Sequence, residues 1–250
     1  MHFELRNHMV ESKTSKFDKT TVFFQRVKNI LLDLFFPKFC IGCNTEGTWL
    51  CQNCKGEILP VQMQVCPKCN KMSQSGKYCL RCGKDSALKG IVVSLYFEEG
   101  ATKELIHNFK YNSIKELTPF LGEKMVQVLR DNPTKIDIIT FVPVHVMRMA
   151  SRGYNQAELL AEYVSQKIEI KIEKLLTKTR NTKRQVGLKR QQRKNNLSGA
   201  FKANQNVDIS NKKILIIDDV TTTGQTLEEC AKVLKNAGAK EVWGLVISRG

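Results

Sequence analysis

Apolar residues along the chain recur with two different periods, and their alternation predicts strands that alternate with helices. Continuous apolar runs, typical of strands buried on both faces of a parallel sheet, occur at residues 91–97, 136–144, 170–176, 214–217 and 241–248. After a predicted turn at residues 98–100, helical spacing continues to about residue 111 and recurs at 117–129, 157–168 and 227–234. This pattern predicts an α/β fold in which helices cover both faces of a parallel sheet.

The strand at residues 214–217 is followed by two carboxylates and a hydroxyl-rich turn. Gly224 lets the backbone approach a ligand closely, and the free N–H groups of the next helix attract anions. The turn residues suited to a phosphate dianion are Thr222, Thr223, Gly224, Gln225 and Thr226. Asp218 and Asp219 repel phosphate and instead suit sugar hydroxyls or a divalent cation. The predicted ligand is therefore a phosphorylated sugar.

This stretch resembles the phosphoribosyl-pyrophosphate (PRPP) motif of type I phosphoribosyltransferases: four apolar residues, two acidic residues, then a small Thr/Gly-rich loop. The resemblance implies that Asp218 and Asp219 contact the ribose and a Mg²⁺ ion, while residues 222–226 hold the 5′-phosphate. The alternative is an acidic pair in an ordinary α/β protein, such as a phospho-acceptor receiver domain, which does not need the threonine-rich turn. A P-loop is excluded because no Gly-x-x-x-x-Gly-Lys sequence occurs.

A second turn with ligand-binding character follows the strand at residues 136–144. It carries Arg148 and Arg152 ahead of the next helix, and two guanidinium groups near a helix N-terminus suit a polyanion. The alternative is that both are solvated surface arginines. His145 in the same turn is more typical of a satisfied polar loop residue than of a catalytic one.

The amino-acid sequence of this turn resembles that of the ComF family of bacterial competence-associated proteins. It reads Val-Pro-Val, followed by Arg-Gly-Tyr-Asn-Gln-Ala-Glu-Leu-Leu-Ala. Four other features agree in their order: paired cysteines, a Lys-Tyr pair after the first helix, a central basic stretch and the acidic motif. The resemblance implies a type I phosphoribosyltransferase domain at residues 90–250, with pyrophosphate held by Arg148, Arg152 and Lys110. It also implies a role in DNA uptake, with single-stranded DNA and a competence helicase as partners.

Four Cys-x-x-Cys pairs lie close together near the front of the chain and indicate metal binding. They are Cys40 and Cys43, Cys51 and Cys54, Cys66 and Cys69, and Cys79 and Cys82. Two such pairs supply a closed tetrahedral zinc site, and the short gaps favour sequential pairing, with an interleaved arrangement left open. A thioredoxin-like redox motif is the alternative, although no βαβ pattern surrounds these pairs. The module, residues 37–86, is expected to need structural Zn²⁺ for its stability.

Residues 1–36 are predicted to form a polar tail and then an amphipathic helix at 22–36. Packing of this helix against the cysteine-rich module is favoured over a position on a membrane surface. We find neither a secretory signal nor an apolar run of membrane-spanning length. The nine cysteines therefore favour a reducing, cytoplasmic compartment, where paired cysteines usually bind metal.

Positive charge dominates the composition, with 40 basic and 24 acidic residues and a net charge of +16. This excess favours an anionic partner, either nucleic acid or a phosphorylated substrate, although a generally basic proteome would have the same effect. Residues 174–202 contain ten basic residues and no acidic one, which predicts a mobile loop. The residues assigned to this loop or to nucleic acid are Arg184, Gln185, Lys189, Arg190, Arg193 and Lys194.

The basic loop is compatible with closure over the sugar-phosphate site, with attachment to a single-stranded nucleic-acid backbone, or with simple solvation. Three functions follow from these features. The protein is a working phosphoribosyltransferase with an unidentified acceptor, a protein that binds PRPP or a nucleotide as a signal, or a DNA-binding adaptor of the import helicase. Intact acidic and Thr/Gly elements favour retained ligand binding.

Overall fold

The computed structural model describes residues 37–97, 101–112, 114–132, 134–182 and 196–250. The predicted tail and amphipathic helix at residues 1–36 and the predicted turn at 98–100 lie outside the described residues. So do six residues assigned to the basic loop: Arg184, Gln185, Lys189, Arg190, Arg193 and Lys194.

Four parallel strands form the central sheet. They are β1 (Gly90–Tyr96), β2 (Ile138–Phe141), β5 (Lys213–Thr221) and β6 (Glu241–Arg249). Their order across the sheet is β1-β6-β5-β2, and all three neighbouring pairs are parallel. Strand β6 is buried except at its two end residues, and β5 is buried over residues 214–217, because helices cover both faces. The predicted α/β architecture is confirmed.

Four helices that surround the sheet follow the predicted helical periodicity: α3 (Ala101–Tyr111), α4 (Thr118–Asp131), α6 (Gln156–Ile168) and α7 (Gln225–Asn236). A fifth, α5 (Val146–Arg152), lies in the stretch predicted as a turn and corrects that prediction. Buried residues of α3, α4 and α6 share one core cluster on one side of the sheet, whereas those of α7 belong to a second cluster on the other side. No helix among the described residues has the length and apolar character needed to cross a bilayer.

One predicted strand is wrong in place and pairing. Residues 170–176 make only a single parallel bridge to the sheet, between Ile172 and Ile139. The chain then leaves the sheet and forms β3 (Leu176–Lys178), which pairs in antiparallel fashion with β4 (Phe201–Ala203). Leu175 and Leu176 of this apolar run are buried by packing into the second core cluster. Their burial therefore does not require pairing with a strand of the central sheet.

The same small sheet corrects the prediction of one continuous loop over residues 174–202. The ends of this stretch are ordered as β3 and β4, and Lys178 at the end of β3 is partly buried. Alternation along β3 places Lys178 on the same side as the buried Leu176, with the exposed Thr177 between them. The basic stretch therefore begins inside the fold.

The cysteine-rich module consists of two ribbons with short helices, α1 (Gln52–Glu57) and α2 (Leu80–Gly83). Each ribbon begins with a tight turn closed by one antiparallel bridge, Phe39 to Glu46 in the first and Val65 to Met72 in the second. Leu50 and Ile58 of the first ribbon join the core cluster that contains α4. Residues at the end of the second ribbon, including Tyr78 and Leu88, join the cluster that contains α7. The two ribbons thus contact different cores.

Candidate functional site: an acidic and hydroxyl-rich cavity beside two cysteine ribbons

Two adjacent carboxylates lie in the last part of β5. Strand pairing continues to Thr221, so Asp218 and Asp219 belong to the strand itself rather than to the turn that follows it. The N–H of Asp219 donates to Asp218 Oδ1 at 2.9 Å. Burial, together with the neighbouring charge of Asp219, raises the pKa of Asp218 to about 8. Ionisation of both carboxylates is therefore unfavourable unless a further positive charge or hydrogen-bond donor is close to them.

Lys110, near the end of α3, is the cation that faces this acidic pair. Its Nζ lies 3.1 Å from Asp219 Oδ1, and both side chains are largely buried. Burial acts to lower the pKa of Lys110, but the attraction of Asp219 and Asp218 outweighs it, so the pKa is raised. Lys110 stays charged and neutralises one carboxylate. A divalent cation or the hydroxyl groups of a sugar would satisfy the other.

The turn after β5 has the conformation expected of an anion cradle. Thr221 Oγ1 accepts a hydrogen bond from the N–H of Gly224 at 3.0 Å, which folds the turn back on itself. Gly224 caps α7 with a φ of 75°, a left-handed conformation that glycine adopts without strain. A Cβ at this position would also lie 3.1 Å from Ile91 Cδ1. Thr222 and Thr223 are exposed beside the N–H groups that begin α7.

Two further basic side chains, Arg148 and Lys178, line the same cavity. Arg148 lies on α5, and its guanidinium donates to the carbonyl of Thr182. Burial, followed by repulsion from Arg148, lowers the pKa of Lys178 to about 8. A dianion placed here would relieve the repulsion between these two cations. Lys178 was not among the predicted site residues, although the alternation of Leu176, Thr177 and Lys178 is a signal that could have found it.

All these groups line one cavity of about 420 Å³ at the carboxyl ends of β2 and β5. The predicted site residues that it brings together are Lys110, Arg148, Asp218, Asp219, Thr222, Thr223, Gly224, Gln225 and Thr226. Arg152 is the last residue of α5, and its side chain lies outside the described part of the structure, so its predicted role stays a prediction. His145 caps α5 through Nδ1, which accepts from the N–H of Met147 at 3.4 Å, so it is a satisfied loop residue.

The segment Tyr154-Asn155-Gln156 holds the end of α3 against the sheet. Tyr154 Oη donates to the carbonyl of Phe109 at 2.9 Å, and Gln156 Nε2 donates to that of Lys110 at 3.2 Å. Asn155 donates to the carbonyl of Val142 at 3.0 Å and caps α6 through its side-chain oxygen. These bonds fix the backbone that carries Lys110, which explains why three polar residues are buried here.

Replacing Tyr154 by phenylalanine removes the buried hydrogen bond to Phe109. We expect Tyr154→Phe to lower the free energy of unfolding by about 1–3 kcal/mol, because a buried carbonyl loses its partner. Chemical denaturation would measure the change. The matched control is Tyr163→Phe, whose hydroxyl bonds Glu123 in an exposed setting at 3.1 Å and should matter much less. Equal losses in both variants would contradict the assigned role of Tyr154.

The eight paired cysteines form two separate clusters. Cys40, Cys43, Cys51 and Cys54 make one group, and Cys66, Cys69, Cys79 and Cys82 make the other, with the Sγ atoms of each group within 4.8 Å of one another. Cys43 and Cys51 lie 3.6 Å apart, and Cys69 and Cys79 lie 3.8 Å apart. Zn–S bonds of about 2.3 Å in a tetrahedron give a ligand separation of about 3.8 Å. The pairing is sequential, and the interleaved arrangement is wrong.

The electrostatics of these clusters also fit a cation. Burial acts to raise the pKa of Cys40, but hydrogen bonds from backbone N–H groups, Cys51 first, outweigh it and lower the pKa to about 6. Hydrogen bonding with Cys79 raises the pKa of Cys82 to about 12. In each group the thiolate form is favoured at two cysteines and opposed at another, and a bound Zn²⁺ would favour the thiolate form at all of them. Cys230, the ninth cysteine, is fully buried in the core instead.

Comparison with known proteins identifies both parts of the chain. The family described as Phosphoribosyl transferase domain matches residues 122–247, and the Double zinc ribbon domain family matches residues 31–83. Among solved structures, a glutamine PRPP amidotransferase from B. subtilis matches 53% of this chain and 26% of its own, at 20% identity. Its TM-score of 0.37 is too low to support a functional comparison.

Curated relatives match most of the chain. Competence protein F of Haemophilus influenzae is 29% identical over 220 residues, which cover 78% of this chain and 95% of that protein. DNA utilization protein YhgH of Escherichia coli is 29% identical over 225 residues, 85% of this chain and 98% of its own. Competence protein ComFC of Bacillus subtilis is 26% identical over 196 residues, which cover 76% of this chain and 79% of that protein. The chain therefore belongs to the ComF family, with a double zinc ribbon followed by a phosphoribosyl transferase domain.

Proposed function

We propose that the cavity binds PRPP together with Mg²⁺, in a protein that acts in DNA uptake. PRPP has three parts: a 5′-phosphate, a ribose diol and a pyrophosphate. In this proposal the 222–226 turn holds the 5′-phosphate, and Asp218 and Asp219 hold the ribose hydroxyls and the Mg²⁺ ion. Arg148 and Lys178, which line the same cavity, hold the pyrophosphate.

The observation that carries this proposal is the convergence of three chemically different surfaces on a single cavity of about 420 Å³. A simple phosphate site would not need two carboxylates, which repel anions. A simple cation site would not need an exposed threonine turn and a helix N-terminus, which attract anions. A ligand with separate phosphate and diol groups satisfies both, and a second phosphate group explains the additional cations.

The DNA context comes from the relatives and from charge. Relatives are named for competence and for DNA utilization, and we assign the same context to this chain. A net charge of +16 supports contact with a polyanion, and single-stranded DNA is the proposed one. We place the protein in the cytoplasm, where Mg²⁺ and PRPP are both present and where thiols remain reduced. A competence helicase is the proposed protein partner.

A second candidate function is a DNA-binding adaptor that reuses the phosphoribosyltransferase fold without binding PRPP. Its support is the excess of basic residues within 174–202, ten with no acidic residue. An adaptor has no need of the Lys110 to Asp219 ion pair inside a polar cavity, so we rank it second.

Calorimetric titration of the zinc-loaded protein tests the proposal. We expect saturable binding of one PRPP per chain in the presence of Mg²⁺. Because the cavity offers all three surfaces, PRPP should bind at least about tenfold more tightly than ribose 5-phosphate or pyrophosphate alone. Salt-dependent binding of single-stranded DNA without any PRPP binding would contradict this proposal and favour the adaptor.

A further inference from the structure

The second cysteine ribbon is joined through one arginine to the turn at residues 222–226, which we call the phosphate turn. Asn70, directly after Cys69, donates its N–H to the carbonyl of Cys66 at 3.0 Å and so closes the metal-binding turn. Its Oδ1 accepts from Arg249 Nη1 at 3.0 Å, and Arg249 Nε lies 3.5 Å from the carbonyl of Thr222. The first residue of the phosphate turn is therefore two hydrogen bonds away from the loop that carries two cysteines of the second group.

The other end of the turn is held by residues that follow the last cysteine pair. Ser86 Oγ donates to Glu228 Oε2 at 2.7 Å, and the N–H of Ala87 donates to Glu228 Oε1 at 2.8 Å. Glu228 lies in the first turn of α7, where its own N–H bonds the carbonyl of Gly224 at 2.9 Å. Both carboxylate oxygens of Glu228 thus tie the ribbon to the helix that begins at the phosphate turn.

The phosphate turn separates two cavities. The first is the cavity of about 420 Å³ proposed to bind PRPP, which we call the sugar-phosphate cavity, and the second, of about 610 Å³, faces the ribbon. Both are lined by Thr222, Thr223 and Gln225. Cys82 and Tyr78 lie on the ribbon side of this second cavity. The same few residues therefore face both cavities, so a shift of the turn changes the lining of both.

The first ribbon provides an internal comparison. Its buried residues Cys40 and Cys54 pack into the core cluster that contains α4, and a surface groove nearby is lined by Trp49 and Phe120. Within the described part of the chain, none of its four cysteines lines the sugar-phosphate cavity or the cavity behind the turn. Among the described residues, the chain therefore contains two similar cysteine groups, of which only the second is linked by hydrogen bonds and a shared cavity to the turn at residues 222–226.

We propose that Zn²⁺ in the Cys66, Cys69, Cys79 and Cys82 group and PRPP in the 222–226 turn stabilise each other, whereas Zn²⁺ in the first group is independent of PRPP. Arg249 and Glu228 are the positioning residues of this coupling. Zinc fixes the ribbon, and the ribbon holds the turn in its binding conformation. Because the turn is already ordered, ligand binding loses less conformational entropy. Linkage requires the effect to be reciprocal, so PRPP must also retain the second zinc. Because it concerns PRPP, the coupling rests on the proposed function.

Zinc release to a chromophoric chelator tests the coupling in the full-length, zinc-loaded protein. We expect two release phases, of which PRPP with Mg²⁺ slows one by about tenfold and leaves the other unchanged. Cys54→Ser, which disrupts the first group, should remove the unaffected phase, and Cys82→Ser should remove the slowed phase. Equal effects of PRPP on both phases, or a slowed phase that survives Cys82→Ser, would overturn the proposal.

Arg249→Met tests the same coupling while leaving all eight cysteines in place. We expect the variant to retain both zinc ions and to lose most of the slowing by PRPP, because its link from Asn70 to Thr222 is gone. The matched control is Arg130→Met, an exposed arginine on α4 that pairs with Glu123 at 3.8 Å, and it should keep the full effect. Full slowing in Arg249→Met would refute the positioning role.

A readout without PRPP separates this proposal from the proposed function. Amide hydrogen exchange of residues 222–228 should be faster in Cys82→Ser than in Cys54→Ser, since only the second group is linked to the turn through Arg249 and the shared cavity. If calorimetry shows no PRPP binding, the proposed function fails and the exchange comparison decides whether zinc and the turn are coupled. Equal exchange in the two variants would overturn the coupling even where PRPP binds.

Discussion

The double substitution Asp218→Asn/Asp219→Asn should weaken PRPP binding in the presence of Mg²⁺ by about a hundredfold or more. Each carboxylate is proposed to make charge-assisted contacts worth about 1.5–3 kcal/mol, and every 1.4 kcal/mol is a factor of about ten. Asparagine keeps the shape of the side chain but removes its charge and most of its affinity for Mg²⁺. Calorimetric titration of variant and unmodified protein under identical salt conditions measures the effect.

Two controls make the result specific. Asp131→Asn/Asp208→Asn removes the same charge from exposed positions outside the cavity and should leave PRPP binding unchanged. A thermal melt is needed as well, because Asp219→Asn also removes the partner of the buried Lys110. Unchanged PRPP affinity in a folded Asp218/Asp219 variant would show that the ligand binds elsewhere. Single-stranded DNA binding should persist in the variant, since the basic stretch is intact.

Loss of zinc should have the second largest effect, on the fold of the ribbons. We expect about two zinc ions per chain, one for each cysteine group, and removal by a strong chelator should unfold both ribbons. Structural zinc supplies on the order of 10 kcal/mol or more to small domains, which exceeds what so short a segment gains from its own core. Elemental analysis and hydrogen exchange of residues 37–88 measure the two consequences.

Single cysteine variants refine this expectation. Cys40→Ser should lower the zinc content to about one per chain. It should also lower the melting temperature of the whole protein, because Leu50 and Ile58 of the first ribbon belong to the core cluster that contains α4. The control Cys230→Ala removes the ninth cysteine, which lies in the core away from both groups, and should keep both zinc ions. Full zinc content in Cys40→Ser would contradict the assigned ligand set.

Local sequence was sufficient for elements whose residues are close together along the chain. Each metal group takes its four cysteines from a segment of about fifteen residues, so spacing alone predicted the correct pairing. The acidic pair and the threonine turn belong to one strand-turn-helix unit, and their common cavity follows from the direction of the chain there. The buried apolar strands were predicted for the same reason, because burial on both faces produces continuous apolar runs.

Prediction failed where a short segment had two ways to bury the same residues. The run at residues 170–176 was assigned to the sheet, but Leu175 and Leu176 are buried beyond its edge, in the cluster with α7. Apolar periodicity indicates which residues are buried, but it does not distinguish a strand paired in the sheet from a segment whose side chains only pack in the core. Lys178 was assigned to a loop for a related reason, since a dense run of charge concealed the short strand β3 that carries it into the cavity.

The sequence by itself determined the parallel α/β architecture, the two cysteine groups and the chemistry of the acidic turn, because each depends on neighbours along the chain. Only the tertiary structure decided that Lys110 pairs with Asp219 and that Lys178 lines the same cavity. It alone also placed the second ribbon, rather than the first, against the phosphate turn through Arg249 and Glu228. These contacts join residues more than a hundred positions apart or on different elements, where packing of whole surfaces selects the partner and no local pattern specifies it.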